Sequence, residues 1–123
     1  MKRFKRIAVT AVAVAALGVS AIAQAQDAPP GDSANGKRLY VRDGCFTCHG
    51  RSGQGGAYTG PAPILAHTAL PFEGFKGQIR NPSNSMPAFS DALLSDKDIA
   101  DIYAFVESLP GPGSPKDHPI LND

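Results

Sequence analysis

Apolar residues in the last third of the chain recur at Ile99, Ile102, Tyr103 and Val106, the i, i+3, i+4, i+7 spacing of one helix face. Ser95 stands where an N-cap is needed. Asp98 follows three residues later, a weaker form of the capping box. Asp96, Asp98 and Asp101 place negative charge at the positive end of that helix, and Pro110-Gly111-Pro112 ends it. A second pattern, Phe72, Phe75 and Ile79, follows Pro71 and predicts a short helix to about Arg80, stopped by Asn81-Pro82. A third helix is predicted from an N-cap at Asp32 or Ser33 to about Asp43. Gly44 is placed to close it, and Gly36 and Tyr40 share one face. Glycine inside a helix costs about 1 kcal/mol relative to alanine. Gly36 therefore marks either a weak helix or a place where a neighbour packs too close for a Cβ.

Between these helices no run of strand length alternates, and no internal repeat is present. The pattern predicts an all-α domain with long Gly- and Pro-rich loops. Residues 50–60 hold five glycines and one aromatic. No Lys-Ser or Lys-Thr pair follows them, so this is not a nucleotide phosphate loop. Pro61 and Pro63 stiffen GPAPIL. NPSNSMPAF, residues 81–89, is irregular, with two prolines and a single methionine. Residues 111–123 read as a Pro-rich flexible tail.

The first quarter of the chain has another pattern. Lys2, Arg3, Lys5 and Arg6 precede an uncharged run from Ile7 to Ile22, and Ala23-Gln24-Ala25 supplies small residues for cleavage. This reads as a secretory signal over residues 1–25. The apolar run of 16 residues is short for a membrane span, which needs about 20, so an uncleaved anchor is the lesser alternative. Cleavage after Ala25 leaves 98 of the 123 residues, one small domain. It also removes four of the 12 basic residues and none of the 11 acidic ones, so a formal charge of +1 becomes −3. A mildly acidic exported domain has no footprint for nucleic acid and no polybasic membrane patch. It retains no stable membrane span.

Against this background, residues 43–50, DGCFTCHG, carry the chemistry. Cys45 and Cys48 are the two cysteines of the chain, and His49 follows directly. Structural zinc wants four ligands, usually two Cys/His pairs, and only His67 and His118 remain as further nitrogen donors. A thioredoxin-like motif needs a strand before it and a helix after it. Here a helix precedes and a glycine-rich loop follows. A disulfide across two intervening residues is strained. Cys-x-x-Cys-His is also the attachment signature of a c-type haem. In that reading Cys45 and Cys48 form thioethers to the two vinyl groups, and His49 lies under the iron. Export strengthens the haem reading, because c-type haem is fitted to exported chains. The opposite ligand is expected from Met86, the single methionine of the cleaved chain. It is flanked by Ser85 and Pro87 in an irregular segment, where a core methionine would not be expected. His67 and His118 are the alternatives.

CFTCH, GPAPIL, SMPAF and the IADIYAFVESL helix, in this order, resemble the class I c-type cytochromes, the small soluble ones in particular, over about residues 32–110. The resemblance implies a cytochrome c fold, a few helices wrapped around one covalently bound haem c. It implies that the first and last helices cross, with Gly36 and Tyr40 against Ile102 and Phe105. It also implies a proline carbonyl that accepts the proximal imidazole N–H and a leucine two residues on that lies against the haem. The Pro-x-Leu pattern matches Pro63 and Leu65, whereas the Gly-Pro pattern points to Pro61. The implied function is that of a periplasmic one-electron carrier with His/Met ligation, not an enzyme, working between respiratory or dehydrogenase protein partners as a monomer. The alternative is a haem-bearing subunit of a dehydrogenase or oxidase complex. A third role, ligand binding or peroxidase-like chemistry, requires Met86 to leave the iron.

Overall fold

The computed structural model describes residues 28–56, 61–117 and 120. The signal read over 1–25, the loop tip 57–60 and His118 lie outside the described residues. Four α-helices follow one another: α1 (Ser33–Arg42), α2 (Cys45–His49), α3 (Phe72–Arg80) and α4 (Asp96–Ser108). A single 3₁₀ turn covers Pro115–Asp117, and no strand occurs among the described residues. None of the described helices is long and apolar enough to cross a membrane.

Each predicted helix has its predicted start. The Asp32 carboxylate accepts the N–H groups of Ala34 and Asn35, at 2.9 and 3.1 Å, and caps α1. At α4 both halves of the capping box are present. Ser95 Oγ accepts the Asp98 N–H at 3.1 Å, and the Asp98 carboxylate accepts the Ser95 N–H at 3.0 Å. Aspartate therefore completes the box here. Gly44, at φ 77°, adopts the left-handed conformation and turns the chain from α1 into α2. At the 3₁₀ turn the Ser114 N–H donates to the Asp117 carboxylate at 3.0 Å, and the Asp117 N–H donates to the Ser114 carbonyl at 2.9 Å.

The core lies where α1, α3 and α4 meet. Ile99, Ile102 and Val106 are buried, as their periodicity predicts, with Leu39 and Tyr40 of α1 and Phe72, Phe75 and Ile79 of α3. Each such side chain contributes roughly 1.5–3 kcal/mol on burial. Tyr103 stands at the edge of this cluster. Its ring meets Phe72 and Phe75 edge-on at 5.6 and 5.2 Å, and its hydroxyl donates to the Leu70 carbonyl at 2.9 Å.

The α1–α4 crossing answers the question raised by Gly36. A Cβ at Gly36 would overlap the carbonyl of Asp101 in α4, so the helices touch backbone to backbone. One turn on, Tyr40 and Phe105 meet edge-on at 5.3 Å. Asp101 corrects the reading of it as a charge at the start of its own helix. It is fully buried and sits at the start of α1 instead. Its carboxylate accepts the Asp32 N–H at 2.7 Å and the Asn35 amide at 2.8 Å, and Lys97 covers it at 2.9 Å. Burial alone would raise the Asp101 pKa. The bonds from Asp32, Asn35 and Lys97 outweigh burial and hold it below the ordinary carboxylate value.

Candidate functional site

CFTCH folds as α2, a single helical turn that no apolar periodicity marks. The Thr47 hydroxyl donates back to the Gly44 carbonyl at 2.7 Å and fixes the first part of the turn. Phe46 carries the Arg51 guanidinium over its ring at 5.3 Å. Cys45 and Cys48 are half-buried and not bridged to each other. Burial, and after it the charge of Asp43, pushes the Cys45 thiol up to about 11. Among the described residues, no three His, Cys, Asp or Glu side chains converge on one metal ion.

His49 is buried, and its Nδ1 lies 2.9 Å from the Pro63 carbonyl. A carbonyl only accepts, so Nδ1 is the nitrogen that donates here, and Nε2 is the ring nitrogen left for another partner. The choice between Pro61 and Pro63 falls to Pro63. The residue after His49 is also held, because the buried Tyr40 hydroxyl donates to the Gly50 carbonyl at 2.8 Å. α1 thus fixes both the α4 crossing and the backbone beside the imidazole.

The glycine-rich loop brings Pro63 to His49. Gly55 N–H bonds the His49 carbonyl at 2.8 Å, and the Gly53 carbonyl accepts from Leu65 and Ala66 at 2.8 and 3.0 Å. Gly56 N–H bonds the Ala62 carbonyl at 3.0 Å. Residues 50–56 therefore lie against 62–66 by backbone bonds. Side chains would break this contact. Both Gly53 and Gly55 have positive φ, and a Cβ would stand 2.9 Å from the Ala66 nitrogen and 2.6 Å from the Ala62 oxygen respectively. The loop is part of the imidazole's support, a role that its composition alone did not indicate.

Met86 lies in the irregular segment after α3, half-buried against the core. Cys45, Phe46, Leu65 and Phe89 border the same core in the same half-buried way. His67 has another task. It is exposed, at φ 51°, and its N–H bonds the Val106 carbonyl at 2.8 Å near the end of α4. The donor set fits a haem c. It comprises an imidazole held by a carbonyl, a thioether, two unbridged thiols and an apolar rim.

Sequence reasoning missed the Tyr40 hydroxyl as a support of the site, because it acts through a bond to the Gly50 backbone, which no local pattern announces. An all-α frame that presents a Cys-x-x-Cys-His turn defines a class of candidate haem proteins, and comparison with known proteins gives the chain a family. The profile of the family described as "Cytochrome C oxidase, cbb3-type, subunit III" matches residues 31–106. The chain is 30% identical over 105 residues to cytochrome c-555 of Methylococcus capsulatus (strain Bath), covering 84% of this chain and 85% of that one. It is 38% identical over 81 residues to the cytochrome bc1 complex cytochrome c subunit of Corynebacterium diphtheriae, covering 64% of this chain but 28% of that longer one. It is 32% identical over 80 residues to the cytochrome c subunit of 4-cresol dehydrogenase (hydroxylating) from Pseudomonas putida, covering 65% of each chain. No solved structure matches the chain. The chain belongs to this family of c-type cytochromes, and it is a small class I electron-transfer haem protein.

Proposed function

We propose that the protein is a periplasmic one-electron carrier holding one haem c, attached through Cys45 and Cys48 and ligated by His49 and Met86. The bond from His49 Nδ1 to the Pro63 carbonyl, at 2.9 Å, carries this reading. It leaves Nε2 as a neutral, oriented donor, the state an axial ligand needs. When bound, the haem supplies an iron that cycles between Fe(III) and Fe(II) by one electron, and His/Met ligation favours the reduced state. Leu65 and Phe89, half-buried against the same core as Met86, would add apolar surface on the side of the thioether. With His49 and Met86 both holding the iron, no position would remain for a substrate, so the domain by itself would transfer electrons only. We read residues 1–25 as a removed signal, 32–110 as the haem domain and 111–123 as a flexible tail.

The test pairs a pyridine haemochrome spectrum with the intact mass of the exported protein. One covalent haem on a chain beginning at Gln26 is expected. Met86→Ala should retain the haem, lower the reduction potential and open the iron to carbon monoxide. An unchanged spectrum and potential in Met86→Ala would show the axial assignment to be wrong.

A second reading has support from two relatives, which are named as subunits of a bc1 complex and of a dehydrogenase. In that reading the chain is the haem-bearing subunit of a redox complex. Size exclusion of a native extract separates the two. A carrier elutes as a free small species, and a subunit co-elutes with its complex.

A further inference from the structure

The segment 81–95 that carries Met86 has few backbone bonds of its own. It is held from outside by the last turn of α3, on both sides of the sulfur. Before the sulfur, Gln78 Nε2 donates to Ser83 Oγ at 3.2 Å and also reaches Met86 Sδ at 4.0 Å. The amide has two hydrogens, so one nitrogen serves both partners. After the sulfur, the Phe89 N–H bonds the Ile79 carbonyl at 3.1 Å, and Arg80 Nη1 donates to the Phe89 carbonyl at 2.9 Å. Arg80 Nη2 meets Asp91 at 2.6 Å and Asp96 at 2.7 Å. One guanidinium thereby ties the end of the loop to the start of α4.

These contacts differ in weight. Asp91 and Asp96 are 85% and 61% exposed, so their pairs with Arg80 are screened by water and salt. The bond to the Phe89 carbonyl is charge-assisted and made by a side chain only 17% exposed. It is the part of the clamp that water does not replace well. At the sulfur the argument is one of direction. A thioether has two lone pairs, and an N–H on one of them leaves the other to face a metal. It also draws electron density from the sulfur.

We propose that Gln78 and Arg80 are positioning residues for the axial thioether, Gln78 by orienting the Met86 sulfur and Arg80 by closing the loop through the Phe89 carbonyl. The proposal rests on Met86 as the axial ligand. Its consequence is that the hold of Met86 on the iron is set by a helix that contributes no ligand.

The experiment uses the haem-loaded exported protein with Arg80→Met and Gln78→Leu, which keep side-chain length or bulk and remove the donors. Imidazole, titrated into the oxidised protein, competes with the thioether. Arg80→Met is expected to bind imidazole about tenfold more tightly, the effect of losing one charge-assisted bond that holds the closed loop. Gln78→Leu is expected to shift the long-wavelength ferric band of methionine-ligated iron and to lower the reduction potential. Far-UV circular dichroism and covalent haem content should match the parent. A lower melting temperature with imidazole affinity, band and potential all at parental values overturns the proposal. If Arg80→Met does not fold, Gln78→Leu decides by its band and potential alone. If the parent lacks the methionine band, or Met86→Ala keeps it, the axial assignment fails and the proposal with it. That outcome is distinct from failure of the clamp alone, where the parental band is present and Met86→Ala abolishes it.

Discussion

Asp101 sits in the helix crossing with no water around it, and its charge is balanced by donors from three places in the chain. Removing one partner of a buried charge is costly because the rest stays desolvated. Asp101→Asn should destabilise the protein by about 2–3 kcal/mol, the range for bonds to a buried ionised group. The Lys97 share of this is small, because that ammonium is 73% exposed. The effect has a defined pH dependence. The folded-state pKa lies below the unfolded one. The stabilisation is therefore fully present above the ordinary carboxylate value of about 4 and is lost as pH falls through the depressed folded value. Denaturation followed by circular dichroism from neutral to acid pH should show the gap between parent and Asp101→Asn closing in that window. A gap that stays constant into acid would mean that the carboxylate charge is not what the crossing uses.

At the scale of elements, α1 and α4 depend on a missing side chain. Gly36→Ala gains about 1 kcal/mol of helix propensity, yet its Cβ would overlap the Asp101 carbonyl. The helices must separate, and overpacking of this kind costs about 1–3 kcal/mol. A lower denaturation midpoint is expected, and an unchanged or higher one would show that the crossing can slide. The helices themselves were legible in the sequence. Ile99, Ile102 and Val106, like Phe72, Phe75 and Ile79, repeat at the helical period because the face they bury is continuous. Ser95 and Asp32 announce their helices because a cap is local. α2 was not legible, since five residues set by Gly44 and by attachment chemistry have no apolar period. The loop 50–56 was legible only as flexible composition. Its bonds run backbone to backbone with 62–66, and side-chain identity does not encode such partners. At the site, CFTCH announced its own chemistry, and Met86 stood out as a single thioether in an irregular segment. Pro63 was undecided against Pro61 until the fold showed which carbonyl reaches His49. Gln78 and Arg80 became visible only with the loop in place.

At the scale of the molecule, charge sets how partners approach. If residues 1–25 are removed as proposed, eight basic residues face eleven acidic ones, and the propionates of the proposed haem would add to the negative side. Such a charge would favour basic redox partners. Raising the ionic strength from about 0.01 to 0.15 M shortens the screening length from about 30 to 8 Å. The second-order rate of electron exchange with a basic partner should then fall, by about tenfold or more. Stopped-flow mixing across a salt series checks this, and a rate that rises with salt would assign the opposite sign to the partner.

The crossing of α1 with α4 also sets an order of events. Its partners, such as Asp32 and Asp101, are 69 residues apart, so loop closure must precede their contact. A chain that emerges N-terminus first displays Cys45, Cys48 and His49 long before α4 exists to complete the core. The helix that completes the core, α4, is thus the last long one to be made. If Cys45 and Cys48 take a haem as proposed, attachment can precede that closure.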